Sequence, residues 1–200
     1  KKSAEQGFAL GYYAMGECYA TGSGVPKNTK EAVRNFNLAA ELGDAELVNR
    51  VGVRFATGTF APKDEKLAVK WFRKAAKLGD SYGQYNLADC YFDGRGVKQD
   101  FKEAVKWFRK AAEQGHLSGQ FYLGECYYYG RGVTKDYTEA VKWYRKAAEQ
   151  GHAIAQNNLG YCYYNGHGVT KDYNEAVKWY REAVKQGNAA SQNNLGKCYY

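Results

Sequence analysis

The stretch "EAVKWYRKAAEQGHA" at residues 139–153 is nearly repeated at residues 103–117 as "EAVKWFRKAAEQGHL". It returns at residues 175–189 as "EAVKWYREAVKQGNA", and in more altered form at residues 67–81 and 31–45. The step is 36 residues each time, and one glycine keeps it in all five copies: Gly43, Gly79, Gly115, Gly151 and Gly187. A fixed period along the chain predicts an array of one small structural unit.

Each unit contains two helical patterns, and the second of them is the clearer. Between Ala140 and Ala148, apolar residues follow the i, i+1, i+3, i+4, i+7, i+8 spacing of an amphipathic helix. Asp136 suits the N-cap of this helix, and Gly151 suits the left-handed residue that ends it.

The first pattern is the stripe Gln120, Leu123, Gly124 and Tyr127, which is stopped by "GRG" at 130–132. A glycine at a helix centre costs about 0.5–1 kcal/mol relative to alanine. We expect Gly124 to be compensated because its missing side chain lets the paired helix approach closely. Neither helix can bury its stripe alone, so neighbouring units must stack to share a core.

The motif read from Ala155 to Gly187 resembles the Sel1-like repeat (SLR), a relative of the tetratricopeptide repeat. The resemblance covers essentially the whole chain and is carried here by Ala155, Leu159, Gly160, Tyr163, Gly166, Gly168, Val169, Asp172, Ala176, Trp179, Tyr180 and Gly187. It implies an all-α fold, a right-handed alpha-alpha superhelix (solenoid) of 36-residue helix-turn-helix repeats with first helices lining the concave side. It also implies an adaptor or scaffold that binds other proteins.

Counting along the chain predicts one SLR solenoid over residues 1–200, with about five and a half repeats. The breaks are expected near 7/8, 43/44, 79/80, 115/116, 151/152 and 187/188. First helices are expected near 10–21, 46–57, 82–93, 118–129, 154–165 and 190–200, and second helices near 28–41, 64–77, 100–113, 136–149 and 172–186. Residues 1–7 match the end of a second helix, and neither terminus shows a polar cap, so we expect an excerpt of a longer array with neighbouring repeats beyond both ends.

The composition is that of a soluble globular protein, with 44% hydrophobic and 25% charged residues. Lys and Arg number 29 against 21 Asp and Glu, a balance of +8, but basic residues alternate with acids, so no specific nucleic-acid partner is expected. No apolar run approaches the ~18 residues of a membrane span, so no transmembrane segment is predicted. The chain shows no signal peptide and does not begin with Met, which leaves the compartment open between cytoplasm and periplasm or secretion.

The five cysteines mark one position in successive copies: Cys18, Cys90, Cys126, Cys162 and Cys198. If the copies stack as helices about 8–10 Å apart, equivalent cysteines lie beyond the ~7 Å limit for a disulfide. We therefore expect no stapling disulfides and interpret the cysteines as small buried thiols. The Helicobacter-type members that the resemblance includes carry paired cysteines, so their penicillin-binding activity is only the least favoured alternative here.

No catalytic, metal or cofactor site is indicated, and the chain is predicted not to be an enzyme. His116 and His152 occupy equivalent slots and cannot converge on one metal or nucleophile, and His167 is interpreted as a surface loop residue. The loops "GRGV" and "GHGV" are rich in glycine but lack the Lys-Ser/Thr of a phosphate-binding loop.

One face of the first helix varies between copies, while its core face does not. We predict a partner-binding groove on this face, formed by Tyr85, Asn86, Phe92, Phe121, Tyr122, Tyr128, Asn157, Asn158, Tyr164, Asn193 and Asn194. A carboxamide donates and accepts at once, which suits the backbone of an extended peptide, and aromatic rings supply contact area. The alternative is that these aromatic residues only pack between neighbouring units.

The second repeat departs from the pattern. Arg54 replaces the cysteine, Arg50 lies one turn before it, Asn35 replaces the tryptophan, and "GTFAP" stands in place of "GRGV". Two interpretations stay open. Either an arginine stem fills the space of the missing indole, or Arg50 and Arg54 form a carboxylate-binding pair in the groove.

We predict a scaffold that binds a partner protein or an extended peptide in its concave groove, as a bacterial regulatory, envelope or host-interaction factor. The alternative is binding of a polyanion or acidic partner by a basic rank on the second helices, formed by Lys70, Arg73, Lys74, Lys106, Arg109, Lys110, Lys142, Arg145 and Lys146. The basic rank can also be interpreted as an ordinary solvated helix surface, on which pairs such as Glu139–Lys142 and Arg145–Glu149 form along the helix.

Overall fold

The computed structural model describes residues 2–198, and of residues 2–6 only the backbone; within that range the secondary structure is helical, without strands. The all-α fold class is therefore confirmed. The first helices of the repeats are α1 Lys2–Thr21, α3 Ala45–Thr57, α5 Ser81–Asp93, α7 Leu117–Tyr129, α9 Ala153–Asn165 and α11 Ala189–Lys197. The second helices are α2 Thr29–Leu42, α4 Glu65–Lys77, α6 Phe101–Glu113, α8 Tyr137–Glu149 and α10 Tyr173–Lys185.

The bounds of α2 to α10 lie within one residue of the predicted ones, because the cap residues that set them are visible in the sequence. The Asp136 side chain accepts hydrogen bonds from the backbone N–H groups of Thr138 and Glu139 at 2.9 and 3.0 Å, which confirms it as the N-cap of α8. Gly151, two residues after the end of α8, has φ 89° and is left-handed as predicted. The predicted end of α11 near residue 200 lies outside the described residues.

The first helix differs from its prediction. Residues 1–7 were expected to end a second helix, separate from a first helix near 10–21, but α1 runs without interruption through Gly7. The physical reason is the residue that follows. Phe8 has no side-chain oxygen or ring nitrogen to accept an N–H group, whereas Asp44 and Asp80, after the equivalent glycines, cap new helices.

Within each half of the chain, helices pack on their neighbours in chain order. The first helix packs on the second helix of its repeat in the pairs α1–α2, α3–α4, α7–α8 and α9–α10. Each second helix packs in turn on the next first helix, as α4 does on α5 and α8 on α9. Contacts group the chain into two compact units, Lys1–Asp100 and Phe101–Tyr200. Within each unit, adjoining repeats share a core. This agrees with the prediction that neither helix of a repeat can bury its apolar stripe alone.

A buried glutamine on the first helix ties it to the preceding second helix. Gln120 on α7 donates to the carbonyl of Ala112 at 3.2 Å, and Gln156 on α9 donates to that of Ala148 at 3.1 Å. These carbonyls belong to the last turn of a helix and also accept the backbone N–H groups of Gly115 and Gly151, at 3.0 Å each. The hydrogen bond to the carbonyl therefore satisfies the buried amide of the glutamine itself, which would otherwise cost about 1–3 kcal/mol.

The close approach predicted at Gly124 is confirmed. A Cβ on Gly124 would lie 2.7 Å from Cδ1 of the Tyr144 ring and 3.3 Å from the Ala140 carbonyl oxygen. Gly160 and Tyr180 show the same arrangement one repeat later, where a Cβ on Gly160 would lie 2.8 Å from Cδ1 of the Tyr180 ring. The glycine thus brings a buried tyrosine of the second helix against the first helix.

Candidate functional site

The predicted site residues all lie on first helices: on α3 and α5 in the first unit, and on α7, α9 and α11 in the second. Arg50 and Asn193 are exposed, Phe121 is buried, and the other ten are half-buried. Each unit therefore presents its own part of the predicted surface.

Four of the five predicted asparagines are hydrogen-bonded to a neighbouring first helix: Asn86, Asn157, Asn158 and Asn194. Asn86 Nδ2 on α5 donates to Asn49 Oδ1 on α3 at 2.8 Å, and Asn194 Nδ2 on α11 donates to Asn157 Oδ1 on α9 at 3.1 Å. A carboxamide carries two N–H donors and an oxygen with two lone pairs. These side chains consequently join adjacent repeats and keep further donors and acceptors for a ligand.

The arginines of the second repeat bind groups within the first unit. Arg54 Nη2 lies 2.7 Å from Glu17 Oε1 on α1, and Arg54 Nε donates to the Tyr13 hydroxyl at 2.8 Å. The Arg54 guanidinium also lies 4.7 Å from the centre of the Phe60 ring. Exposed Arg50 lies 4.6 Å from the centre of the Tyr13 ring. In the folded chain, Arg54 thus binds the carboxylate of Glu17, a residue of the chain itself.

In the second unit, three predicted residues line one cavity of about 350 Å³. Its wall consists of Tyr128, Tyr129, Tyr144, Asn157, Asn158 and Tyr161. The two neighbouring tyrosines come from the last turn of α7, Tyr144 from α8 and the remaining three from α9. We call this space the tyrosine cavity.

A carboxylate anchors the inner wall of the tyrosine cavity. The hydroxyl of Tyr144, a buried residue, donates to Glu125 Oε1 at 2.5 Å, and Asn158 Nδ2 donates to the same oxygen at 2.9 Å. Burial, followed by the neighbouring Glu125 carboxylate, raises the pKa of Tyr144 well above its usual range. The phenol therefore stays protonated and keeps donating to Glu125.

The outer wall is positioned by a histidine. The Tyr128 hydroxyl lies 2.8 Å from His167 Nδ1, and the His167 ring stacks on Tyr137 with a centroid distance of 4.6 Å and an interplanar angle of 9°. The Tyr128 and Tyr129 ring centroids are 5.0 Å apart. His167, expected to be a simple surface residue, thus holds a wall residue in place.

A second cavity, of about 240 Å³, lies one repeat further along. Five of its six lining residues are the counterparts, 36 positions later, of residues lining the tyrosine cavity: Tyr164, Asn165, Tyr180, Asn194 and Lys197. The sixth is Tyr161, which borders both cavities. The same backbone arrangement therefore produces a cavity in successive repeats, while the side chains at its mouth change.

Two predicted aromatic residues on α7 pack instead against neighbouring helices. Phe121 is 8% exposed, and its ring stacks on that of His152 with a centroid distance of 4.7 Å. Tyr122 stacks on Phe108 at 5.3 Å and an interplanar angle of 9°. For Phe121 the packing alternative describes the side chain, because almost none of its ring faces solvent.

Sequence reasoning missed Glu125, Tyr129, Tyr144 and Tyr161. Tyr144 was assigned to the core stripe, which is correct for its ring, but its hydroxyl also reaches the cavity wall. A signal for Glu125 was present in the sequence. Its slot changes from copy to copy in otherwise near-identical repeats, and holds Glu17, Val53, Asp89, Glu125, Tyr161 and Lys197.

Many side chains of the basic rank on the second helices bind partners within the chain. Arg73 donates to the Tyr91 hydroxyl at 3.1 Å and Arg145 to the Tyr163 hydroxyl at 2.5 Å, each 18 residues further along the chain. Arg145 was expected to pair with Glu149, so this partner differs from the prediction. The expected Glu139–Lys142 pair is present, at 2.5 Å and on the exposed surface.

The buried thiols are protonated at neutral pH. Burial raises the pKa of Cys90 to about 11 and those of Cys126 and Cys162 to about 12. Cys18 and Cys198 are half-buried. Among the described residues, no group of three or more His, Cys, Asp or Glu side chains is placed to hold a metal ion. Within residues 2–198, we find no helix with the length and apolar character to cross a membrane.

The family model for the Sel1 repeat matches residues 9–44, 45–80, 81–116, 117–152, 153–188 and 189–200. Each matched repeat starts one residue later than the sequence analysis placed it. Among curated proteins, no significant match to the chain was found.

Several solved structures are similar. A Sel1 repeat protein from Oxalobacter formigenes is 33% identical over 100% of this chain and 79% of its own, with a TM-score of 0.79. The c5321 protein, described as a protective antigen of uropathogenic Escherichia coli strains with an SLR fold, is 34% identical over 98% of this chain and 50% of its own, with a TM-score of 0.50. Helicobacter pylori cysteine rich protein B is 29% identical over 66% of this chain and 96% of its own, with a TM-score of 0.53.

Proposed function

The chain belongs to the Sel1 repeat family, whose members generally serve as protein-interaction scaffolds, and on that basis we propose that it binds an extended segment of a partner protein along the first-helix face of α7, α9 and α11. The observation that carries the proposal is the pair of repeat-equivalent cavities, 36 residues apart, that open in successive repeats. The proposed role is binding without catalysis.

The spacing of the repeats supports an extended ligand. Neighbouring packed helices lie about 8–10 Å apart, and an extended chain advances about 3.3–3.6 Å per residue. A peptide crossing α9 and α11 would therefore offer a side chain to each cavity roughly every three residues. Asn158 and Asn194 lie beside the two cavities, where their free donors can reach the peptide backbone.

The biological setting that we propose is bacterial. The chain is 34% identical to an Escherichia coli protein described as a protective antigen, and 33% identical to a Sel1 repeat protein of Oxalobacter formigenes. Both similarities cover nearly all of this chain. They support a role as a bacterial host-interaction or envelope factor, with the partner bound through the surface described above.

The proposal is tested by selecting linear peptides from a display library on the immobilised chain and measuring their affinities by fluorescence polarisation. The double variant Asn158→Ala with Tyr128→Ala should lose at least tenfold in affinity, because truncated hot-spot residues typically cost more than 1 kcal/mol each. The control variant Glu139→Ala with Lys142→Ala removes an exposed pair from α8 and leaves the net charge unchanged.

We expect the control variant to bind as the parent chain does, and both variants to keep the parent's helical circular dichroism at the assay temperature. The melting temperature of the Asn158/Tyr128 variant should fall, because Tyr128 packs on neighbouring rings. Selected peptides that bind the Asn158/Tyr128 variant and the parent chain equally would contradict the proposed surface. Peptides that lose affinity only with the Glu139/Lys142 variant would place the site on the second helices instead.

A further inference from the structure

We propose that the tyrosine cavity receives a cationic side chain, lysine or arginine, of the bound peptide. This inference rests on the proposed function and names the chemistry that one cavity recognises. It starts from a comparison of one slot in three repeats, which holds Glu17 on α1, Asp89 on α5 and Glu125 on α7.

In the first and third repeats, an arginine of the same unit neutralises the acid in this slot. Glu17 pairs with Arg54 at 2.7 Å, and Asp89 pairs with Arg95. Within the described part of the chain, Glu125 has no cationic partner and accepts only from the neutral groups of Tyr144 and Asn158. The repeat of α7 thus keeps the carboxylate of this slot without either arginine as its partner. Cys162 stands at the position equivalent to Arg54, and Arg131, the equivalent of Arg95, lies against the Tyr129 ring.

The walls around this carboxylate suit a cation. Aromatic rings present a negative face, and a cation within about 6 Å of a ring centroid is attracted to it. Tyr128 has ring-centroid distances of 5.0 Å to Tyr129 and 6.2 Å to Tyr144, so these rings contact one another and form a continuous aromatic wall. A side chain lying against this wall would contact more than one ring. Tyr129 and Tyr161 are 56% and 42% exposed, which leaves their rings accessible to a ligand.

A positive group on the chain itself lies near the cavity. The Arg131 guanidinium lies 5.2 Å from the centre of the Tyr129 ring. Arg131 is the repeat equivalent of Arg95, but where Arg95 also faces Asp93 at 3.4 Å, the fourth repeat carries Tyr129. The Arg131 guanidinium therefore lies against an aromatic ring. Its positive charge repels a second cation and so lowers the affinity of the cavity for a cationic side chain.

The neighbouring cavity provides an internal contrast. There the slot of Glu125 is taken by Tyr161, and the slot of Tyr161 by Lys197. Neither cavity has a carboxylate among its lining residues. Behind the tyrosine cavity, however, the Glu125 carboxylate is bonded to the wall residues Tyr144 and Asn158, whereas the second cavity has Lys197 in its wall. A cationic side chain is therefore favoured in the tyrosine cavity alone, which sets the register of the peptide.

The probe for this inference is a set of N-acetylated peptide libraries whose central residue is fixed as arginine, citrulline, lysine or norleucine, with mixed neutral residues around it. Citrulline and norleucine keep the shape of arginine and lysine and remove the charge. We expect the chain to bind the arginine and lysine sets at least tenfold more tightly than their neutral counterparts, with a preference that shrinks as salt is raised.

Three variants assign the preference to the cavity. Glu125→Gln keeps an oxygen for Tyr144 and Asn158, so it should fold, and the charge preference should fall below twofold. Arg131→Gln should raise the preference two- to threefold. Glu149→Gln, an exposed residue of α8 with the same charge change, should leave it unaltered.

The inference is overturned if Glu125→Gln retains the preference, or if the parent chain does not distinguish arginine from citrulline. If peptides still bind through Asn158 and Tyr128 in that case, the proposed function stands and only the cation assignment fails. If the parent chain binds no peptide from the libraries or from the display selection, both are wrong.

Discussion

At the scale of single residues, two left-handed glycines of one repeat differ in what surrounds them. Gly132 has φ 74°, and a Cβ there would lie 2.2 Å from the carbonyl oxygen of Phe101, at the start of α6. Gly151 has φ 89°, and a Cβ there would meet no atom within 4 Å. The first glycine is needed for its backbone angle and for space, the second for its backbone angle alone.

These two positions form a matched pair of substitutions. Gly151→Ala should cost about 1 kcal/mol of unfolding free energy, the penalty for a left-handed side chain. Gly132→Ala should cost about 3 kcal/mol, because overpacking against a backbone carbonyl adds to that penalty. Urea denaturation followed by circular dichroism measures both, and equal costs would show that the loop moves away from α6 freely.

The second repeat shows what such a move involves. Phe60 occupies the slot that holds Gly96 and Gly132 in later repeats, and its φ is 69°. The loop beside it borders a cavity of about 550 Å³ whose lining includes Thr29, the first residue of α2. The equivalent junction at Gly96 borders a cavity of about 710 Å³, so a cavity here does not depend on the side chain in this slot. Phe60 shows instead that the loop accommodates a side chain with a left-handed backbone.

At the scale of elements, the first helices are capped by three residue types in one slot. Asp44, Asp80 and Asn188 cap α3, α5 and α11 through a side-chain oxygen. His116 and His152 cap α7 and α9 through Nδ1, which accepts the N–H of Gly119 and of Ala155, each at 3.1 Å. An imidazole nitrogen accepts a hydrogen bond only when it is unprotonated, so these two caps require neutral histidine.

This chemistry makes the stability of α7 and α9 dependent on pH. Burial lowers the pKa of His116 and His152 below 6.5 in the folded chain. The unfolded chain therefore binds more protons just below pH 6.5, and the unfolding free energy falls as the pH drops from 6.5 through the lower folded pKa. Each lost cap is worth about 1 kcal/mol.

The double variant His116→Asn with His152→Asn tests this dependence, because asparagine caps α11 in the same slot and does not titrate. Between pH 7.5 and 5, the melting temperature of the parent chain should fall more steeply than that of the variant. Parallel pH profiles would mean that the two histidines do not control the acid sensitivity, whatever the absolute melting temperatures are.

At the scale of the whole molecule, stability is expected to vary along the array, since a repeat is held by the surfaces that its neighbours cover. In α9, five residues are buried: Ala155, Gln156, Leu159, Gly160 and Cys162. In the described helix α11, Ser191 is buried and the apolar Leu195 is only half-buried. The two helices occupy equivalent positions in their repeats, but neighbouring helices bury much more of α9 than of α11.

Amide hydrogen exchange of the 200-residue chain should reveal this difference. The amides of α11 should exchange at least a hundredfold faster than those of α9, because their local opening exposes far less apolar surface. Backbone-resolved exchange by NMR or by mass spectrometry measures the ratio. Equal protection in the two helices would indicate that the chain opens only as one cooperative body.

The repeat period, the helices and their core stripe could be read from the sequence because each depends on residues close together in the chain. Asp136 and Gly151 act as cap and stop through contacts within three residues, and the stripe from Ala140 to Ala148 follows from helix geometry alone. The separate helix end expected over residues 1–7 was wrong because the glycine was weighed without Phe8, the residue that fails to cap a new helix.

The binding surface depended on the tertiary structure. Asn158 and Glu125 are 33 residues apart, and Arg54 and Glu17 are 37 apart. Whether such groups meet depends on the distance between helices and on side-chain rotamers, which a periodic sequence leaves undetermined. The sequence by itself determined that repeats stack and which faces they bury. Only the packed helices decided that Glu17 finds an internal arginine while Glu125 stays beside an open ring of tyrosines.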